Sequence, residues 1–174
     1  MTTANKLTLL RMALIPVFLG VLYAGFPGCR YWALGVFIIA SLTDTLDGYI
    51  ARHYNQITNF GKFMDPLADK VLVLSAMCWF VECGQMPGWA LAIVLFREFA
   101  VSGMRLVAVE QGLVIAAAWS GKVKTASTMV CLCLMMLNIP AWLNLACIVI
   151  IVATTVYSGI EYFIKNAQVF KNAD

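Results

Sequence analysis

Charge is what this sequence has least of. Only 12% of its 174 residues are Asp, Glu, Lys or Arg, while 62% are hydrophobic and the mean hydropathy is +0.85. A water-soluble domain carries about twice that share of charge, so the composition predicts a membrane protein. The six cysteines (Cys29, Cys78, Cys83, Cys131, Cys133 and Cys147) lack metal-ligand spacing, which leaves them as small packing residues. Also missing is a short apolar region followed by a small-x-small cleavage site, so the first apolar run reads as retained rather than as a signal peptide. With no internal repeat and no polar stretch long enough for a soluble domain, residues 1–174 read as one membrane-embedded domain.

What the chain has in quantity is apolar runs. A spanning helix needs about 20 apolar residues, or about 30 Å at about 1.5 Å each. Six runs qualify, at about 7–26, 31–50, from before Asp65 to 83, 89–109, 121–138 and 142–164. They predict an all-α fold of six transmembrane helices. Turns at Pro27, Pro87 and Pro140 are tight, so neighbouring helices are expected to run antiparallel. Basic residues gather in cytoplasmic loops. With the N-terminus inside, only Arg30 falls clearly outside, both termini are cytoplasmic, and the net charge of +3 records this asymmetry rather than nucleic-acid binding.

Against this apolar background, four of the nine acidic residues cluster: Asp44, Asp47, Asp65 and Asp69. On helices, Asp44, Asp47, Gly48 and Ala51 share one face, and Gly61, Asp65 and Asp69 form a second stripe. Two antiparallel helices joined by the 52–60 loop would turn these stripes toward each other. Unpaired carboxylates in a low-dielectric bundle cost several kcal/mol each or take up protons. Carboxylate oxygens select hard ions, Mg²⁺ or Mn²⁺ over zinc, and four of them suit a two-metal site for displacement at phosphorus. Two other readings compete: ion pairs with Arg52, Lys62 and Lys70, and the acidic ring of a cation channel or transporter. Neither accounts for Gly48, Gly61 and Ala51. Glycine in a helix costs roughly 1 kcal/mol relative to alanine, and small residues beside the acids clear a surface for a bulky ligand.

The segment Asp44-x-x-Asp47-Gly48-x-x-Ala51-Arg52-x8-Gly61-x3-Asp65-x3-Asp69 resembles the signature of the CDP-alcohol phosphotransferases at every fixed position. The resemblance runs along nearly the whole chain. Asn5, Thr8 and Arg11 resemble the family's N-terminal Asn-x-x-Thr-x-x-Arg, with Ala4 where many members have proline. It implies transfer of a phosphatidyl group from CDP-diacylglycerol to an alcohol, with CMP leaving, at a site holding two divalent cations. By position, it implies metal ligation by Asp44, Asp47, Asp65 and Asp69, with Asp69 also the general base. It implies nucleotide contacts from Thr8, Asp47, Gly48, Ala51, Arg52 and Gly61, a cytoplasmic-facing site in the cell membrane, and a homodimer.

The acceptor is read from different residues. Arg97 lies eight residues after Trp89, about 12 Å along its helix, too deep to reach the surface without a polar cavity. One reading gives it an internal ion pair, with Glu98 or another acid. The other joins it to Arg105 and Lys124 in a cationic pocket for a phosphate. Arg105 and Lys124 also fit as simple topology residues. The segments 97–105 and 121–125 resemble family members that make phosphatidylglycerophosphate, which implies glycerol 3-phosphate as acceptor. Inositol phosphate and phosphatidylglycerol are the rivals. The five tryptophans read as interfacial anchors and packing.

Overall fold

A computed structural model describes residues 3–53, 59–113, 115 and 118–168, with side chains at 8–43, 64, 67–113, 115 and 118–168. The apolar runs become six helices: α1 (Thr3–Tyr23), α2 (Cys29–His53), α3 (Asn59–Glu82), α4 (Gly88–Glu110), α5 (Trp119–Met136) and α6 (Ala141–Lys165). No strand occurs among the described residues. Helix ends fall where the backbone turns left-handed. Gly25, Gly28, Gly84 and Gly112 have φ of 67°, 85°, 69° and 72°, a region that costs glycine nothing. Asn138 takes the same region after α5, with φ of 61°, and α4 and α6 restart behind Pro87 and Pro140.

Helix ends depart by a few residues from the apolar runs that predicted them. α1 begins at Thr3 rather than near 7, because its polar first turn is helical although it is not apolar, and α2 continues to His53. Among the described helices α6 alone is long and apolar enough to cross a bilayer, with a mean hydropathy of 2.0 over its best window. α1 and α2 contribute shorter apolar stretches, Thr8–Tyr23 and Cys29–Thr43. Large apolar side chains face outward in number, including Phe96, Phe99 and Leu106 on α4 and Leu145, Val149 and Ile160 on α6. Apolar surface on that scale is what lipid rather than water accommodates. Four tryptophans, Trp32, Trp89, Trp119 and Trp142, are exposed in the first turns of their helices, as interfacial anchors would be, whereas Trp79 is packing.

The chain forms two compact units, 1–80 and 81–174. In the first, α1 buries the stripe Thr8, Arg11, Ile15, Phe18 and Leu22 and α2 buries Ala33, Phe37 and Ala40. Steps of three and four keep each set on one helix face, and the Phe18 and Phe37 rings meet at 5.7 Å between centroids. Arg30 stacks on Trp79 with its guanidinium carbon 4.8 Å from the ring centre. Phe37→Ala is expected to cost about 3 kcal/mol through the lost ring and the cavity it leaves, read as a lower unfolding midpoint in detergent.

In the second unit α4 and α5 both pack on α6. Their buried stripes are Ala90, Val94, Glu98, Val101, Met104 and Ala108 on α4, and Ser120, Lys124, Thr128, Cys131 and Met135 on α5. α6 contributes Ile148, Ile151, Thr155, Ser158 and Tyr162. Two charged residues, Glu98 and Lys124, thus hold core positions. Each needs a partner there.

Candidate active site

The aspartate motif sits on two helices, as its spacing requires. α2 is unbroken through Asp44, Asp47, Gly48, Ala51 and Arg52, and α3 through Gly61, Asp65 and Asp69. In helical register, positions 44, 47 and 51 continue the series 33, 37, 40 whose members are buried, and position 65 precedes the buried 68, 72, 76 by one step. The side chains of Asp44, Asp47, Gly48, Ala51, Arg52, Gly61 and Asp65 lie outside the described residues, as does that of Asn5. Asp69 is described and half-buried. Thr8 and Arg11 are buried on α1, 1% exposed each. Among the described residues no three His, Cys, Asp or Glu side chains gather as a metal cluster. As a donor set, four carboxylates spaced three and four residues apart on two helices suit a hard divalent cation.

The second unit is described atom by atom where the sequence left two readings open. Arg97 does form the internal ion pair. Its Nη1 donates to Glu98 Oε1 at 2.9 Å, and its Nη2 donates to Ser158 Oγ on α6 at 2.6 Å. Lys124 joins from α5, donating from Nζ to the same Glu98 oxygen at 2.6 Å. Lys124 is 5% exposed and Glu98 9%. Neither charge could be held there alone. Two cations share one carboxylate, so among the described residues this buried cluster carries one surplus positive charge. Arg105 makes a separate contact: exposed, it donates from Nε to the Tyr162 hydroxyl at 3.1 Å and lies against that ring. Of the three residues read as an acceptor pocket, Arg97 and Lys124 come together and Arg105 does not join them.

Glycines shape the room around Arg97. A Cβ added at Gly159 would stand 3.3 Å from Arg97 Cγ, and one at Gly121 would stand 3.5 Å from Nη2. The first is tighter than an ordinary contact and the second is an ordinary one, so Gly159 is the glycine whose missing side chain makes room for the arginine. Glu98 and Ser158 were missing from the pocket drawn from sequence. The signal for Glu98 was present, since a carboxylate at the core position of the 90, 94, 98, 101 stripe must be partnered. An apolar-walled cleft between α5 and α6, lined by Trp119, Ser120, Tyr157 and Glu161 among others, includes none of the residues read as site residues.

Comparison with known proteins points to one family. Residues 1–157 match the family model for CDP-alcohol phosphatidyltransferase. A Bacillus subtilis protein named "CDP-diacylglycerol--glycerol-3-phosphate 3-phosphatidyltransferase" is 42% identical, over 98% of this chain and 97% of its own length. A Mycobacterium tuberculosis protein named "Probable phosphatidylglycerophosphate synthase" is 39% identical over 91% of this chain and 78% of its own length. An Escherichia coli protein with the same name as the Bacillus one is 36% identical over 90% of each.

Proposed function

The chain belongs to the CDP-alcohol phosphatidyltransferase family and is a transferase, and from that premise we propose that it converts CDP-diacylglycerol and glycerol 3-phosphate into phosphatidylglycerophosphate and CMP. The observation that carries the choice of acceptor is the buried Arg97–Glu98–Lys124 cluster with its surplus positive charge. An acceptor with no anionic group would leave that charge unanswered, whereas a phosphate monoester answers it. The names of the relatives point to the same acceptor. Arg105, exposed at the Tyr162 hydroxyl, would serve as an outer cation that the acceptor phosphate passes.

In this reading the acceptor hydroxyl attacks the phosphorus that bears the diacylglycerol. A new O–P bond forms, the P–O bond to CMP breaks with its electron pair on CMP, and the hydroxyl proton goes to the Asp69 carboxylate. A carboxylate is a weak base at neutral pH, so Asp69 works mainly by position. Thr8, Asp47, Gly48, Ala51, Arg52 and Gly61 bind the nucleotide, the small residues letting it lie against helix backbone. Asp44, Asp47, Asp65 and Asp69 would hold two divalent cations, Mg²⁺ or Mn²⁺, which when bound offset the negative charge of the diphosphate and of the departing CMP.

The assembly proposed is a single catalytic domain over the whole chain, with six membrane-crossing helices, both termini and the active site on the cytoplasmic side of the cell membrane, and two copies as a homodimer. The outward apolar residues of α4 and α6 and the helix-end tryptophans support the membrane placement. Purified protein given CDP-diacylglycerol is expected to release CMP only when glycerol 3-phosphate is added. Chelation with EDTA should lower this at least 100-fold and excess Mg²⁺ should restore it. CMP release indifferent to EDTA would contradict the cation site, and metal flux into liposomes without CMP release would revive the transporter reading.

A further inference from the structure

We propose that Glu98 is a positioning residue for the acceptor phosphate: it touches no substrate, but holds the Arg97 guanidinium and the Lys124 ammonium side by side so that their remaining donors meet the anion together. This rests on the acceptor reading above and adds to it the part played by a group of the wrong charge for an anion site. Adjacent residues on a helix point about 100° apart, so Arg97 reaches its neighbour's carboxylate only by folding back. The absence of a side chain at Gly159, where a Cβ would stand 3.3 Å from Arg97 Cγ, leaves room for that path. Ser158 Oγ accepts from the other guanidinium nitrogen at 2.6 Å. Two helices therefore fix one guanidinium: α4 through Glu98 and α6 through Ser158, with the tight space beside Gly159 along its stem.

The clamp leaves binding capacity in place. A guanidinium has five N–H donors, and Arg97 Nε is buried with no partner among the described residues. Thr155, fully buried one turn before Ser158 on α6, likewise has a hydroxyl with no partner there. Buried polar groups of this kind are satisfied in working proteins by a ligand or ordered water. With two cations to one carboxylate among the described residues, the ligand that also balances charge is an anion.

The sign of one substitution separates this role from plain electrostatics. If Glu98 were only a nearby negative charge, Glu98→Gln would make the cluster more positive and tighten phosphate binding. As a positioning group its loss frees both cations and loosens binding. The experiment is steady-state kinetics on the purified full chain, with inorganic phosphate as a competitor of glycerol 3-phosphate. For Glu98→Gln the inhibition constant of phosphate and the KM for glycerol 3-phosphate are expected to rise about tenfold together. The KM for CDP-diacylglycerol should stay within twofold, and Glu98→Asp should recover part of the loss. Ser158→Ala and Gly159→Ala, which leave the buried charges in place, are expected to raise the same two constants about threefold and provide the test should Glu98→Gln fail to fold. Tighter or unchanged phosphate binding in these variants overturns the positioning role, as does an equal rise in both substrates' KM. Failure of the acceptor reading looks different: the wild-type protein itself would be insensitive to phosphate and would use no phosphorylated acceptor.

Discussion

Replacing Asp69 by asparagine is expected to lower kcat about a thousandfold while CDP-diacylglycerol still binds. Asparagine keeps the shape and one oxygen of the aspartate but cannot take the proton of the attacking hydroxyl, and positioned general bases contribute roughly 10²- to 10⁴-fold. Asp69 suits the role by place as well as by type. It is half-buried on α3, one turn beyond Asp65, where a base can meet a substrate without being sealed in the core. Single-turnover CMP release measures the chemical step, and binding of a non-reactive CDP-diacylglycerol analogue measures the donor site. A kcat within tenfold of the wild type would remove Asp69 from the role of base, and loss of analogue binding would show that it acts chiefly in holding the donor.

Replacing Lys124 by methionine is expected to raise the KM for glycerol 3-phosphate 10- to 100-fold and to leave that for CDP-diacylglycerol within twofold. Hydrogen bonds to charged groups are worth about 1.5 to 3 kcal/mol, a factor of roughly 10 to 150. Breaking a buried ion pair usually costs about 3 to 5 kcal/mol of stability, because the surviving charge is stranded. Here the cost should be smaller, since Glu98 keeps Arg97 at 2.9 Å. The variant is therefore expected to fold, with an unfolding midpoint lowered by a few degrees. Equal rises in both KM values would mean that Lys124 serves the bundle rather than the acceptor.

These two residues also mark how far the sequence can be read. Helix content followed from apolar runs ended by Pro and Gly, and the six helices stand where those runs were found. Their ends differ by a few residues because an apolar run ends where polarity begins, while a helix such as α1 carries on through Thr3, Asn5 and Lys6. The aspartate motif was legible because its spacing is local: 44 to 51 and 61 to 69 each lie within a single helix. The acceptor cluster was only half legible. Arg97 and Glu98 are adjacent in sequence, and their pairing was one of two readings. That Lys124 would share the same carboxylate oxygen depends on tertiary packing that brings together two residues 26 apart in sequence. Arg105 was grouped with Arg97 because both lie on α4. Its partner turned out to be Tyr162 on α6, a contact no spacing on α4 could announce. Ser158 and Gly159 lie far from any basic residue of α4 in sequence, and only the packing of α4 on α6 gives them a role.

The most direct test is the product made from a choice of acceptors. Purified protein, CDP-diacylglycerol and Mg²⁺ would be offered glycerol 3-phosphate, inositol phosphate, serine and phosphatidylglycerol in turn, with CMP release timed and the lipid product identified. The expected result is phosphatidylglycerophosphate from glycerol 3-phosphate, at least 100-fold faster than any product from the other three. Faster turnover with serine or phosphatidylglycerol, or no CMP release with any acceptor, would contradict it.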